Sequence, residues 1–243
     1  MPTSVIAPHM KEASQTIFVQ RLRRFPSYHI HRGKFEIQSV TICYDDIVSN
    51  VFTVISASGE VWNSGALKEG VCMISFILEY SVISQFESKG NLDLSSADLE
   101  IVSSASAFFI NSIEGKPNRL TMRLLEKSNK ELLREVKLSH SNMAIPLKQI
   151  LKIPMPNVRT MFFNFVSYPE AISEMAKRWT NTDTAPETKM TIKMRGSFNW
   201  MLNFKTSFFS KILEESQDKF VIETDSRDKV IELKLLDFRA KCR

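Results

Sequence analysis

The chain has 243 residues, with 32 Lys and Arg against 27 Asp and Glu, for a net charge of +5. Its 43% hydrophobic and 24% charged residues are typical of a globular protein and exclude wholesale disorder. No apolar run reaches the roughly 18 residues of a transmembrane helix. The seven glycines form neither a dinucleotide-binding nor a P-loop motif, which argues against a nucleotide-binding enzyme. The three cysteines lack CxxC spacing and indicate free thiols.

The positive charge is unevenly placed along the chain. Residues 1–34 contain six bases and one acid, whereas the other 209 residues contain 26 of each. The whole excess of +5 therefore lies within residues 1–34. The sequence predicts a basic N-terminal arm over residues 1–33 and a core domain over residues 34–243, with a candidate subdivision near 181–187.

The first core strand is expected from Lys34, where polar and apolar residues alternate up to Gln38. Asp45 or Asp46 then predicts a capped helix to about Ile55, because apolar residues from Ile47 onward recur at helical spacing. The apolar run 71–86 fits either a helix or a strand. A strand over 92–94 and a serine-capped helix over 97–103 follow.

A strand-rich middle is predicted next, because Leu120, Met122 and Leu124 alternate with polar residues. Further strands are expected over 132–138 and 158–165, with a proline-rich loop over 146–156. Pro169 predicts the first turn of a helix that ends near Trp179.

The C-terminal part is predicted as strands, a short helix and a hairpin. Alternation indicates strands over 190–194 and 198–204. A short helix from Thr206 or Ser207 is expected to turn Phe208, Phe209, Ile212 and Leu213 inward, before a hairpin of 220–224 with 230–236. The predicted class is α+β, with a mostly antiparallel sheet and several short packed helices in a single compact domain.

A run of bases between residues 21 and 34 contains no acid and has Phe25, Tyr28 and Phe35 interleaved. Bases alternating with aromatic residues suit a phosphate-rich surface, either RNA backbone or anionic lipid headgroups. A solvated face is the simpler interpretation. The candidate binding residues of this run are Arg21, Arg23, Arg24, His29, His31, Arg32 and Lys34.

A second basic patch consists of Lys189, Lys193 and Arg195, which would share one face of a strand. We predict that it also binds nucleic acid or anionic lipid, although a solvated sheet face is again the simpler interpretation. The aromatic stretch 198–209 is interpreted as core, with an exposed membrane-seeking edge as the alternative.

No catalytic, metal or cofactor site is predicted. His29 and His31 would share a strand face, but nothing nearby supplies a third metal ligand. His140 follows Ser139, and adjacent strand residues point to opposite faces, so the two cannot form a nucleophile and base pair. We therefore expect a protein that is not an enzyme.

The order of elements over 34–78 resembles the rhabdovirus matrix protein core. The elements are the strand Lys34–Thr41, the Asp-capped helix Asp45–Ser56, the loop Val61–Lys68 and the apolar segment Val71–Leu78. The C-terminal part of the chain also resembles this family in the order of its elements, with a short aromatic helix over 204–215 and a hairpin over 219–238. Without PPxY or a long lysine-rich leader, the chain looks more like the plant-infecting branch.

This resemblance implies a viral structural protein that binds and condenses the nucleocapsid RNA and bridges it to membrane during virion assembly and budding. The implied partners are the viral nucleocapsid, an anionic membrane surface, further copies of the chain and a viral glycoprotein tail. The implied location is the virion and the host cytoplasm or nucleus, peripheral on host membrane.

A second resemblance is to checkpoint sliding-clamp subunits of the PCNA-like fold. Residues 91–99 look like the strand and helix of a clamp half, Arg119–Glu126 like its next strand, and Ala144–Leu147 like the interdomain crossover. This resemblance implies a ring-forming DNA-processivity or checkpoint subunit. An RNA-binding plant-virus movement protein is a third alternative.

Overall fold

The computed structural model describes residues 30–31, 34–44, 51–64, 67–90, 94–139, 147–150, 152–164, 173, 177, 189–193, 198–216, 219–224 and 230–236. The chain divides into two compact units, Met1–Asn129 and Lys130–Arg243. The candidate subdivision near 181–187 lies outside the described residues, as does most of the helix predicted after Pro169. Within that segment, Ser173 and Lys177 are helical.

The first unit contains a mixed sheet in the order β4-β3-β2-β5-β6, with β1 paired to β2. Strands β1 to β4 form antiparallel pairs, whereas β2, β5 and β6 run parallel. The strands are β1 (Ile30–His31), β2 (Lys34–Tyr44), β3 (Val51–Ser56), β4 (Val61–Ser64), β5 (Ser81–Gly90) and β6 (Phe109–Gly115).

The helices that the structure describes in the first unit are α1 (Leu67–Tyr80), α2 (Ser96–Val102) and α3 (Arg119–Lys127). Helix α1 is buried on every side from Gly70 to Leu78, as expected for a stretch in which Ser75 is the one polar side chain, while Lys68 and Glu69 before it are exposed. Its Ser75 hydroxyl donates to the carbonyl oxygen of Ile101 in α2 at 2.8 Å, so the buried oxygen is satisfied and the two helices are tied together.

The second unit contains a sheet in the order β7-β8-β9-β12-β11-β10. Strands β7, β8, β9 and β12 run parallel, and β12, β11 and β10 form an antiparallel meander. The strands are β7 (Glu135–Ser139), β8 (Thr160–Asn164), β9 (Lys189–Lys193), β10 (Ile212–Glu215), β11 (Lys219–Glu223) and β12 (Val230–Leu236). The helices whose bounds the structure describes are α4 (Leu147–Ile150) and α5 (Phe198–Phe208), with a 3₁₀ turn over Phe209–Lys211.

One face of the second sheet forms the core of its unit, because alternate strand residues are buried and their neighbours are not. The fully or almost fully buried residues of this face are Val136, Leu138, Met161, Phe163, Phe220, Ile222 and Ile231. The predicted α+β class is confirmed, and parallel pairs join the antiparallel ones in both units.

Several sequence predictions are confirmed. Ser95 caps α2 through a bond from the Asp98 amide, as the serine-capped helix requires. Strand β2 begins at Lys34, strand β8 lies within 158–165, and the hairpin of β11 and β12 lies where the alternation placed it. The apolar run 71–86 divides between α1 and β5.

The helix predicted from Asp45 to Ile55 is wrong over its second half, because Val51–Ser56 is strand β3. Phe52 and Val54 are buried and face Ile42 and Val40 of β2, whereas Thr53 between them is half-exposed. The segment forms a strand despite its helical spacing of apolar residues, because β3 is hydrogen-bonded to a partner strand on each side. Residues 45–50 lie outside the described residues.

The strand predicted over 120–124 is also wrong, and with it the clamp-like strand Arg119–Glu126, because these residues form α3. Asn118 caps the helix by accepting from the Thr121 amide at 2.9 Å. Leu120 and Leu124 are buried, and a spacing of four places both on one helical face as readily as on one strand face.

The strand predicted over 198–204 is wrong for the same reason, because Phe198–Phe208 is helix α5. The short helix expected from Thr206 is only its last turn, and Ile212 already belongs to β10. Phe208 faces inward as predicted. Phe209 and Leu213 do not, since 76% and 58% of their surfaces are exposed.

Candidate phosphate-binding surfaces

The predicted basic arm joins the core through β1. Ile30 and His31 pair with Phe35 and Lys34 of β2, so the backbone leaving the arm is fixed to the first unit. This pairing places His31 beside Lys34 in the sheet. The remaining arm residues named as candidates lie outside the described residues: Arg21, Arg23, Arg24, His29 and Arg32.

Lys34 contacts the core rather than extending the arm. Its Nζ donates to the carbonyl oxygen of Glu79 at 2.6 Å, in the last turn of α1, and lies 4.3 Å from the centre of the Phe109 ring. Burial lowers the pKa of the Lys34 ammonium from its usual value, and the nearby Glu79 carboxylate partly offsets this shift. A cation at a helix C-terminus and over an aromatic ring is stabilising. The geometry therefore favours a structural role for Lys34.

We expect Lys34→Met to lower the free energy of unfolding by about 1–2 kcal/mol, because the helix-end and aromatic contacts are lost. Urea denaturation measures this change. Lys89→Met is the matched control, since Lys89 is largely exposed and forms an ion pair with Glu87 of the same strand, at 3.0 Å. Both variants remove one charge and should bind RNA equally. If Lys34→Met binds RNA more weakly than Lys89→Met does, Lys34 contributes directly to RNA binding and the purely structural role is wrong.

Lys127 has a similar role in the same unit, which the sequence did not indicate. Its Nζ donates to the carbonyl oxygens of Ser103, the C-terminal cap of α2, and of Ala105, the latter at 2.9 Å. Two of the bases in the first unit thus close the ends of helices. Counting bases along the sequence cannot separate such residues from ligand-binding ones.

The second predicted patch lies on β9. Lys189 is exposed at the start of the strand, and Lys193 ends it and pairs with Asn164 and Leu236, while Arg195 lies outside the described residues. Acidic residues of neighbouring strands lie on the same face of the sheet. Glu232 of β12 pairs directly with Lys189.

Other charged residues of this face form ion pairs across and along the strands. Lys219 of β11 lies 3.1 Å from Glu214 and 3.8 Å from Glu232, and Lys137 of β7 lies 2.9 Å from Glu135. The described face therefore carries alternating charge instead of a basic stripe. Ion pairs on an exposed face are weak, and their mixed signs reduce its attraction for a polyanion.

The aromatic stretch separates into buried and exposed members. Phe204 and Phe208 are buried, and the Phe204 ring lies 4.8 Å from Phe208 and 5.6 Å from Phe220 between ring centres. Phe209 begins the 3₁₀ turn and lies in solvent. The core interpretation is therefore confirmed for Phe204 and Phe208, and the exposed edge begins at Phe209. The side chains of Phe198 and Trp200 lie outside the described ones.

The carboxyl ends of parallel strands are a common place for ligands, and β5 and β6 end side by side. Near these ends the two backbones approach closely. A Cβ on Gly115 would lie 2.9 Å from the Ser88 carbonyl oxygen. The Ser88 hydroxyl is buried beside it, and within the described parts of the chain it has no hydrogen-bond partner.

No group of three His, Cys, Asp or Glu residues within the described ranges is arranged to hold a metal ion. Ser139 ends β7 and is exposed, while His140 lies outside those ranges. None of the helices that the structure describes is long and apolar enough to cross a membrane. Comparison with family models, curated proteins and solved structures finds no match to this chain.

Proposed function

We propose that this chain is a non-enzymatic structural protein of matrix type. Its basic arm binds and condenses nucleocapsid RNA, the same charge holds it to anionic membrane, and the body associates with further copies and with a viral glycoprotein tail. The activity is electrostatic docking during virion assembly and budding, at host membrane or in the host nucleus. No covalent chemistry, metal or cofactor enters the proposal.

The observation that carries this proposal is the placement of charge. Residues 1–34 hold the whole excess of +5, and β1 joins them directly to the sheet of the first unit. The described faces of the body carry paired charges, such as Lys219 with Glu214 and Lys137 with Glu135. A neutral body with its excess charge on one terminal segment suits a protein that docks to phosphates through that segment.

Reversal of Arg21, Arg23 and Arg24 to Glu is expected to weaken co-sedimentation with single-stranded RNA and with anionic liposomes by about ten-fold or more. Binding of the unaltered protein should fall steeply as salt rises, because counterions are released when phosphates are neutralised. The two sedimentation assays, each repeated over a salt series, measure both effects.

A triple reversal of Lys68, Lys152 and Arg159 to Glu is the matched control. All three side chains are exposed on the body, and the change in net charge is identical. If the arm and body variants lose equal affinity, net charge rather than the arm controls binding. An arm variant that keeps full affinity for both RNA and liposomes would rule out docking through the arm.

The clamp-like alternative is favoured by one observation, the division of the chain into two compact units. The order of elements gives it less support. In the first unit the antiparallel meander precedes the parallel strands, whereas in the second it follows them, so the described strands do not repeat one plan. Duplex DNA as competitor in the RNA assay separates the two functions, because a clamp should prefer the duplex.

A further inference from the structure

The second unit exposes large apolar side chains where α5 passes into β10. Phe209 is the most exposed of the large hydrophobic residues that the structure describes, at 76%, and Leu213 is 58% exposed. Neighbouring Phe204 and Phe208 are fully covered. Exposed apolar side chains of this size, within four residues of each other along the chain and beside a well-formed core, are candidates for an interaction surface.

The same segment is the edge of its sheet. Among the described strands, β10 pairs with β11 alone. A bulge interrupts that pairing, because Ile212 faces Ile222 and Glu214 faces Val221, which leaves Leu213 without a partner residue on β11. An edge strand offers backbone donors and acceptors to another chain, and bulges and charges restrict which chain can pair with it.

The charges around Leu213 are arranged so that the segment complements itself. Lys211 lies two residues before Leu213 and Glu215 two residues after it. A two-fold antiparallel pairing centred on Leu213 that continues one residue beyond β10, into the last residue of the 3₁₀ turn, sets Lys211 of one copy opposite Glu215 of the other, twice by symmetry. Pairing centred on Glu214 would instead place like-charged carboxylates together, so charge disfavours that register, whereas pairing centred on Leu213 joins an apolar contact at the axis to opposite charges on both sides.

An anionic membrane fits this surface less well. Glu214 and Glu215 are exposed beside Leu213, and headgroup phosphates would repel both carboxylates. Lys219 contacts Glu214 at 3.1 Å and Lys205 contacts Glu215 at 2.7 Å, so the segment has paired charges rather than a basic rim. Mixed charge around an apolar centre is typical of a protein partner.

We propose that Phe209, Leu213 and the edge of β10 form a two-fold interface between two copies of this chain, with Leu213 at the axis and Lys211 opposite Glu215 of the partner. The inference rests on the self-association included in the proposed function and assigns it a surface. Isologous pairing of this kind closes after two copies. Larger layers would therefore require a second contact elsewhere, such as the arm on a shared polyanion.

A charge swap tests the interface. Lys211→Glu alone and Glu215→Lys alone each place like charges opposite each other twice, so each should raise the dimer dissociation constant about ten-fold or more. The double variant K211E/E215K restores opposite charges and should return it to within about three-fold of the original. Sedimentation velocity over a concentration series measures all four proteins. Equal weakening in the double variant and the singles would overturn the proposal.

Leu213→Asp should give monomer, while Val61→Asp should leave the dimer intact. Val61 is an equally exposed residue, also 58%, on the edge strand β4 of the first unit. The reverse result would assign the interface to β4 and overturn the proposal, as would an unaltered protein that stays monomeric at its highest soluble concentration. Loss of liposome binding by Leu213→Asp without a change in mass would identify a membrane surface instead.

Circular dichroism checks that each variant is folded, which is expected because Val61, Leu213 and Glu215 are exposed and Lys211 is partly exposed. RNA co-sedimentation reports on the arm separately. A swap that behaves as expected while the arm variants keep full RNA affinity would reject the proposed function and leave the dimer interface standing. If instead the charge swap fails to restore the dimer while the arm variants lose RNA affinity, the interface is rejected and the proposed function stands.

Discussion

Truncation of Phe204 to alanine is expected to lower the free energy of unfolding by about 3–5 kcal/mol. Phe204 has no exposed surface, and its ring packs 4.8 Å from Phe208 and 5.6 Å from Phe220 between ring centres. It therefore joins α5 to β11 within the core of the second unit. Removing the ring leaves a cavity that these fixed neighbours cannot fill, so the transfer and cavity costs add.

Urea denaturation measures the loss, and Leu202→Ala is the control that discriminates between two structures. A strand over 198–204 would place Leu202 and Phe204 on one face, and both truncations would then be costly. In helix α5 the two residues point apart, and Leu202 is 48% exposed. We therefore expect Leu202→Ala to change stability by well under 1 kcal/mol. Comparable losses in the two variants would favour the strand.

The ambiguity between helix and strand at this segment has a physical source. Residues spaced by four lie on one face in either structure, so Leu120 and Leu124, or Phe204 and Phe208, satisfy both patterns. The decisive signals were local but less conspicuous. Asn118 supplies a cap for α3, which the alternation of Leu120, Met122 and Leu124 concealed. Ser95 supplies a cap for α2 and was recognised because no competing alternation overlapped it.

At strand β3 the error runs the other way, because a helix was predicted where the chain forms a strand. Asp45 and the apolar residues after it predict a helix, yet Val51–Ser56 pairs with strands on both sides. The energy that decides this segment comes from β2 and β4, and neither partner is visible in a local window of sequence. Strand β2, which alternates and follows a charged arm, was predictable because its own pattern agreed with its surroundings.

The candidate sites likewise comprise features that are local in sequence, which could be predicted, and contacts between distant residues, which could not. The uneven charge of residues 1–34 is a local property and can be counted directly. The engagement of Lys34 by Glu79 and the pairing of Lys189 with Glu232 join residues more than 40 positions apart, so the sequence could not indicate them. The exposed pair Phe209 and Leu213 was hidden by a helix predicted to turn both inward. The two side chains are exposed because the chain leaves helix α5 for a 3₁₀ turn at Phe209 and then for the edge strand β10 at Ile212.

Gly70→Ala is expected to lower the free energy of unfolding by about 2–3 kcal/mol, although alanine is the better helix former by about 1 kcal/mol. Gly70 lies in α1, and a Cβ there would meet the Phe52 ring well inside the 3.0 Å limit of real Cβ contacts. Phe52 is 1% exposed and is held in β3 between β2 and β4. The ring cannot swing into solvent, so α1 must shift from the sheet.

The clash predicts a specific rescue. Phe52→Leu alone should be destabilising, but added to Gly70→Ala it should recover much of the loss, giving a coupling of about 1–3 kcal/mol in a double-mutant cycle. Gly59→Ala is the control, since its φ of +85° disfavours alanine while nothing lies within 4 Å of the added Cβ. Phe52→Leu should not rescue that variant. Additive effects of Gly70→Ala and Phe52→Leu would mean that α1 and β3 do not make this contact, since direct neighbours couple and separated residues do not.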